Sequence, residues 1–302
     1  MPLHSTNVAT LIAADTLSGA DLSNASDRLR DAGLEPGSVE WLQPGKAADI
    51  PFHGDIIKGH QALNDLTGNF DIAVQLIDNR KKMLLVSDMD STMITAECID
   101  ELADYAGIKP EIAAITERAM AGELDFAEAL TARVSLLAGL NESVIAECLR
   151  ERVRPMPGAI ELVRTMAGWS AHTMLVSGGF TSFTGPVAAH IGLAEVHANI
   201  LEIADGKLTG RLTGAIVDAA AKRTFLEAAV ITQSLTLQQT VAVGDGANDI
   251  PMIAAAVQGQ GLGVGYHPRP ALSQAANFSV RHTDLTALLF AQGVPKEHWA
   301  TV

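Results

Sequence analysis

Two carboxylates, Asp88 and Asp90, close the run Leu84-Leu85-Val86-Ser87-Asp88-Met89-Asp90-Ser91-Thr92. The apolar stretch reads as a buried strand, and acids at its end are economically explained by a reactive centre. Residues two apart on a strand face the same way, while a chain turning out of it can aim one carboxylate and the neighbouring carbonyls at a bound cation. A second apolar run, Thr240-Val241-Ala242-Val243, leads into Gly244-Asp245-Gly246-Ala247-Asn248-Asp249. Two strands ending in acids predict one shared site. Such a site needs a positive partner, for which Lys222 is a candidate.

The arrangement resembles the haloacid dehalogenase superfamily of phosphotransferases, and the flanking residues resemble its phosphoserine phosphatase branch, over roughly residues 80 to 290. Asp88-Met89-Asp90-Ser91-Thr92 matches the nucleophile motif, Ser177-Gly178-Gly179 after the apolar run Thr173 to Val176 the second, and Lys222 with Gly244 to Asp249 the third. Taken singly, an Asp pair marks a turn, Ser-Gly-Gly a loop, Lys222 a surface lysine, and Asn248 or Asp249 a helix cap. Their order, each following a strand or opening a helix, is what makes the match specific.

The chemistry implied is phosphate monoester hydrolysis, in which an anionic nucleophile must approach an anion. Neutralisation and placement therefore dominate catalysis. A carboxylate is ionised at neutral pH, and Asp88 is the expected nucleophile, forming an aspartyl phosphate. Asp90 is expected to protonate the departing alkoxide and then to take a proton from water, which requires a raised pKa. The resemblance implies Mg²⁺ held by Asp88, the Asp90 backbone carbonyl and Asp245, with Lys222 countering the remaining charge. Ser177 and the Gly178 amide are expected on the phosphoryl oxygens, Asn248 on the substrate phosphate, and Asp249 on Lys222 or on metal-bound water.

Substrate choice is expected from Glu97, Phe126 and Arg133, whose spacing is similar to that of phosphoserine phosphatases. O-Phospho-L-serine has an ammonium that Glu97 can pair and a carboxylate that the Arg133 fork can bind in bidentate fashion, beneath a lid closed by Phe126. Their plainer readings are a helix-surface acid, a helix ion-pair arginine and a packing phenylalanine. The function expected is release of serine and phosphate as the last step of serine biosynthesis. A related small-metabolite phosphatase and a non-enzymatic amino-acid sensor are the alternatives.

The elements that must position these residues form an α/β protein with a Rossmann-like parallel sheet and a helical cap. Residues 81–302 read as strand, insertion, helix, strand, helix, strand, helix. The insertion, about residues 94–154, carries four helical stretches, Glu97 to Ala106, Pro110 to Ala121, Asp125 to Leu137 and Glu142 to Val153, separated by Gly107, Gly122 and Gly139. Asn199 to Ile203 and Lys207 to Leu212 read as a hairpin around Asp205-Gly206. Residues 1–80 read as β-α-β-β-α-β, the ferredoxin-like order, with strands at Val8 to Ala13, Val39 to Leu42, Ile50 to His53 and Phe70 to Ile77. Similar units in phosphoserine phosphatases are related to ACT domains, which leaves an amino-acid effector site and a structural or homodimerising module both open. Asp78-Asn79-Arg80-Lys81-Lys82 is expected as a polar linker.

At 302 residues the chain has room for two or three domains. A formal net charge of −14 opposes a nucleic-acid partner, so a phosphorylated substrate needs local cations. No apolar run approaches the ~20 residues that span a bilayer, and the N-terminus lacks the pattern of a secretory signal. Two cysteines, Cys98 and Cys148, suit free thiols in a reducing cytoplasm. The alternating Gly259, Gly261, Gly263 and Gly265 suggest a strand rather than a dinucleotide loop, and nine histidines form no zinc-ligand pattern.

Overall fold

The computed structural model describes residues 6–120 and 123–301. Two sheets organise the chain. The first is built from β1 (Asn7–Ala13), β2 (Glu35–Pro36), β3 (Glu40–Gln43), β4 (Ala47–His53) and β5 (Phe70–Leu76), with α1 (Gly19–Asp31) and α2 (Ile56–Leu63) between them. Its order is β2-β4-β1-β5, with β3 also on β4, and every pairing is antiparallel. β1 is buried along its whole length because both faces are covered. Leu11 joins Leu22, Leu29, Phe52 and Leu63 under the two helices, whereas Ile12, Ala47 and Ala73 share a cluster with Leu288 and Phe290 of the second unit.

The second sheet is the frame of the site. β6 (Leu84–Ser87) leads through α3 (Cys98–Ala106), α4 (Lys109–Met120), α5 (Phe126–Ser135) and α6 (Ser143–Glu151) to α7 (Ala159–Gly168), β7 (His172–Phe180) and α8 (Thr181–Ile191). There follow β8 (Glu195–Ala204), β9 (Lys207–Thr213), α9 (Ala219–Thr232), β10 (Thr240–Gly244), α10 (Ile250–Gln258), β11 (Leu262–Tyr266), α11 (Pro270–Ala275), β12 (Phe278–Val280) and α12 (Ala287–Ala291). The strand order is β12-β11-β10-β6-β7-β8-β9, parallel except for the β8–β9 hairpin. Alternate residues of β6 enter opposite layers. Leu84 and Val86 pack with Leu226 and Met252, while Leu85 packs with Leu162 and Phe183. Helices on both faces explain the unbroken apolar runs of these strands.

From β6 the chain builds outward through β7 on one side, then returns to add β10 and β11 on the other. This reversal opens a crevice at the carboxyl ends of β6, β7 and β10, where open α/β sheets bind ligands. Helices α3 to α6 leave and re-enter beside it, pinned by Thr95 N–H to Arg154 C=O at 3.0 Å and Met156 N–H to Met93 C=O at 2.8 Å. The β8–β9 hairpin is stitched to them by Gly139 N–H to Leu208 C=O and Glu142 N–H to Gly206 C=O, at 2.8 and 2.9 Å. The helix boundary expected at Ala121 and Gly122 lies outside the described residues.

Residues Asp78 to Lys82 are solvated only in part, since Asp78, Asn79 and Lys81 are exposed whereas Arg80 and Lys82 turn inward. Arg80 pairs with Asp49 at 2.6 Å and donates to the Phe290 and Ala291 carbonyls, and Lys82 is buried with its ammonium on the Gln238 carbonyl. The Arg80 and Lys82 charges instead satisfy carbonyls and an acid at the seam between the sheets.

Candidate active site

Asp88 is the first residue past β6, and its N–H donates to Val243 C=O at 3.0 Å, which ties it to the neighbouring strand. It is buried, and its Oδ1 accepts from Met89 N–H at 2.7 Å and lies 2.8 Å from Lys222 Nζ. Asn248 Nδ2 is 3.4 Å from the other oxygen, Oδ2. Lys222 comes from the first turn of α9, where Asp218 caps the helix. It is 1% exposed and bridges Asp88 to Asp249, 2.7 Å from Asp249 Oδ1. Burial alone would lower the lysine pKa, but the two carboxylates hold it above the ordinary value. Asp249 Oδ2 accepts from the Asp245 and Gly246 N–H groups, both at 3.1 Å. Burial, then Asp88, pushes the Asp249 carboxyl up, against the pull of Lys222.

Asp90 stands on the cavity wall. Its Oδ1 is enclosed and has no hydrogen-bond partner, while Oδ2 is 3.4 Å from Cys98 N–H at the start of α3. Burial, Glu97 and Asp88 push its pKa up to about 8. Asp245 accepts from Thr92 Oγ1 at 3.3 Å, and burial and Asp88 raise its pKa. Asp88, Asp245 and Asp249 each present an oxygen within 4.8 Å of the others. Three carboxylates against one ammonium form a hard oxygen set with surplus negative charge, which fits a divalent cation such as Mg²⁺. The cluster takes in Asp249, which the sequence assigned a supporting role, and does not take in the Asp90 carboxylate. Asp249 has both oxygens occupied by Lys222 and amides, so it acts as a brace.

One cavity of about 340 Å³ is lined by Asp88, Asp90, Glu97, Phe126, Arg133, Ser177, Gly178, Asp245 and Asn248. Lys222 and Asp249 lie behind this wall. Ser177 is buried near the end of β7 and its Oγ accepts from Gly179 N–H at 2.9 Å. A Cβ on Gly178 would lie 3.1 Å from Phe126 Cζ, so the absence of a side chain lets the α5 ring close over the strand end. Glu97 Oε1 accepts from Ser91 Oγ at 2.6 Å, and burial raises the Glu97 pKa. Arg133 Nε donates to Ala129 C=O at 3.3 Å, and burial lowers its pKa. Neither residue makes an ion pair among the described residues.

Residues that the motifs did not single out also contribute. Ile99, Leu130, Thr116 and Arg269 line the cavity, and Ser91 holds Glu97 from a left-handed backbone, φ 55°. Arg269 had a readable signal, a cation just past a strand at the same sheet edge. The apolar linings had none, since helix packing residues look alike in sequence.

Comparison with known proteins agrees with the geometry. A model of haloacid dehalogenase-like hydrolases matches residues 85–254. A phosphoserine phosphatase of Streptomyces coelicolor is 44% identical over 229 residues, 75% of this chain, but the match spans only 55% of that relative. One of Albidiferax ferrireducens is 44% identical over 211 residues, 68% of this chain and 87% of the relative. The crystal structure of an unliganded probable phosphoserine phosphatase from Vibrio cholerae superposes with a TM-score of 0.76 at 31% identity, covering 97% of this chain and 88% of that one. The chain therefore belongs to the haloacid dehalogenase-like hydrolase family, more than half its length matching the family model.

Proposed function

We propose that the protein hydrolyses O-phospho-L-serine to L-serine and phosphate through an aspartyl phosphate on Asp88. The observation that carries this reading is a single cavity in which an acid, Glu97, and an arginine, Arg133, share walls with Asp88 and Asp90, yet neither is spent on an ion pair. Paired charges of this kind suit the ammonium and carboxylate of a zwitterionic alcohol. The high identity to phosphoserine phosphatases supports the same substrate.

Asp88 Oδ1 is held by Lys222 and the Met89 amide, so Oδ2 is the oxygen available for attack on phosphorus. As the bond from phosphorus to the serine oxygen breaks, Asp90 gives its proton to that oxygen. Asp90 then takes a proton from the water that attacks the aspartyl phosphate, which frees phosphate and restores Asp88. Ser177, the Gly178 amide and Asn248 would hold phosphoryl oxygens, a role supported by their position on the cavity wall. Mg²⁺ held by Asp88, Asp245 and the Asp90 carbonyl would polarise the phosphoryl group and offset its charge. Lys222 keeps Asp88 in position, and Asp249 keeps Lys222.

In this reading residues 81–302 are the phosphatase unit, with a cap at about 94–154. Residues 1–80 form a ferredoxin-like, ACT-like unit, supported by the strand order β2-β4-β1-β5 with two helices on one face. An amino-acid effector would belong to that unit. The two cysteines, buried and free, suit a cytoplasmic compartment.

Phosphate release from purified protein with Mg²⁺ tests the function. Phosphoserine should be turned over, and Asp88→Asn should lower the rate by at least about 1,000-fold. Arg133→Ala should lower kcat/KM for phosphoserine by roughly 10- to 1,000-fold and for phosphoethanolamine, which lacks the carboxylate, much less. Equal losses on both substrates would remove Arg133 from substrate recognition, and no turnover of phosphoserine by the parent would end the reading.

A further inference from the structure

Arg269 faces the cavity from a backbone prepared to hold it there. β11 lies beside β10, with Gly265 opposite Gly244, so the chain leaving β11 emerges at the same sheet edge as Asp245. It then folds back at once. A Cβ on Gly265 would lie 2.7 Å from Pro268 Cβ, and His267 adopts φ 41° with its N–H on Val280 C=O at 2.8 Å. Arg269 follows between Pro268 and Pro270, with φ −64° and ψ 154°, and its N–H donates to Asp245 C=O at 3.1 Å. Two prolines fix their own φ and restrict the residue before each, so little backbone freedom remains to lose on binding.

The side chain has no visible structural employment. Arg269 is exposed, and among the described residues its guanidinium makes no ion pair and no hydrogen bond. Yet it lines the cavity with Asp88, Ser177 and Asn248. Four carboxylates, Asp88, Asp90, Glu97 and Asp245, line that cavity, and the only lysine or arginine side chains among its lining residues are Arg133 and Arg269. Lys222 is committed to Asp88 and Asp249. An incoming dianion approaching a chain of net charge −14 needs an uncommitted cation on the phosphate side.

We propose that Arg269 is a phosphate-binding residue whose guanidinium, on the Asp245 and Asn248 side of the cavity, pairs with phosphoryl oxygens of the arriving monoester and of the departing inorganic phosphate. The planar fork suits two oxygens of one phosphoryl group. Arg133 and Arg269 then divide the substrate, one reading its carboxylate and the other its phosphate. This rests on the cavity being a phosphomonoester site but not on which alcohol is esterified.

The test is inorganic phosphate itself, titrated calorimetrically into the Mg²⁺-supplemented protein. Arg269→Gln should weaken phosphate binding by about 10-fold or more, and Arg269→Lys, which keeps the charge, by less. KM should rise in parallel for phosphoserine and phosphoethanolamine, by a larger factor than kcat falls, unlike the selective effect expected of Arg133→Ala. Raising salt from about 50 to about 300 mM should weaken phosphate binding more in the parent than in Arg269→Gln. Parental phosphate affinity in a folded Arg269→Gln protein overturns the proposal, and if that variant does not fold, parental affinity and KM in Arg269→Lys, with its salt response, overturn it. A parent that binds phosphate through Arg269 but does not hydrolyse phosphoserine would instead overturn only the substrate.

Discussion

Asp90 bears an electrostatic cost that its neighbours do not relieve. Its Oδ1 is enclosed without a partner, and burial with Glu97 and Asp88 nearby pushes its pKa from 3.8 to about 8. In the metal-free protein this holds the carboxyl largely protonated at neutral pH, the state a general acid needs. The same shift sets a stability trend in metal-free protein. Between the unfolded value of 3.8 and the folded value of about 8, the folded state holds a proton that the unfolded chain has released. This contribution is therefore fully present below the lower value and is lost as pH rises through the upper one. Asp90→Asn cannot ionise. In chelator-treated protein it should raise Tm by several degrees at pH 8, on the order of a few kcal/mol, and by clearly less at pH 5, while abolishing turnover of phosphoserine. A thermal denaturation series across pH 5 to 8 checks this, and equal shifts at both ends would place the cost elsewhere.

The turn from β10 into α10 joins backbone shape to the Asp88–Lys222–Asp249 ion pairs. Gly244 ends β10, and a Cβ there would lie 2.3 Å from Asp249 Cγ. Asp249 cannot swing away, because it is fully buried and both oxygens are in use by Lys222 and the Asp245 and Gly246 amides. Gly244→Ala must displace Asp249, release Lys222 and leave amides unpaired. A loss of about 2–4 kcal/mol in stability and at least about 100-fold in kcat is expected. Urea denaturation and phosphate release measure the two effects, and an active variant of parental stability would show that the turn yields. Ala on Gly178 meets a phenylalanine edge at 3.1 Å and otherwise only ordinary contacts, so its effect on stability should be far smaller.

The whole molecule is joined across a seam between its sheets. Asp71 of β5 is 1% exposed and accepts from the N–H groups of Arg281, His282 and Thr283, and from Thr283 Oγ1. Arg80 clamps Asp49 of β4 while capping the carbonyls of Phe290 and Ala291, the last two residues of α12. None of these groups lines the cavity. Asp71→Ala should therefore cost about 1–3 kcal/mol by leaving half-buried N–H groups without their acceptor, and should speed protease cleavage near residues 78–82. Because the seam is remote from the chemistry, kcat should stay within about threefold of the parent. Limited proteolysis beside steady-state assays checks both, and a large loss of kcat would show that the seam governs the cavity.

Motif chemistry and strand periodicity were legible in the residues themselves. Asp88, Asp90, Ser177 and Asp245 could be placed at strand ends because apolar runs before polar residues report where a buried strand surfaces. Glu97, Phe126 and Arg133 fell in stretches legible as helices, and the family resemblance put those helices over that edge. Tertiary structure alone decided that Arg80 and Lys82 belong to a packed seam, because a charged run looks solvated until its partners, here 31 to 211 residues away, are known. It alone also placed Arg269 on the wall of the cavity that Asp88 lines. Side-chain partnerships across a sheet depend on strand order, and strand order is set by how the helix layers cover the sheet, which no local pattern records.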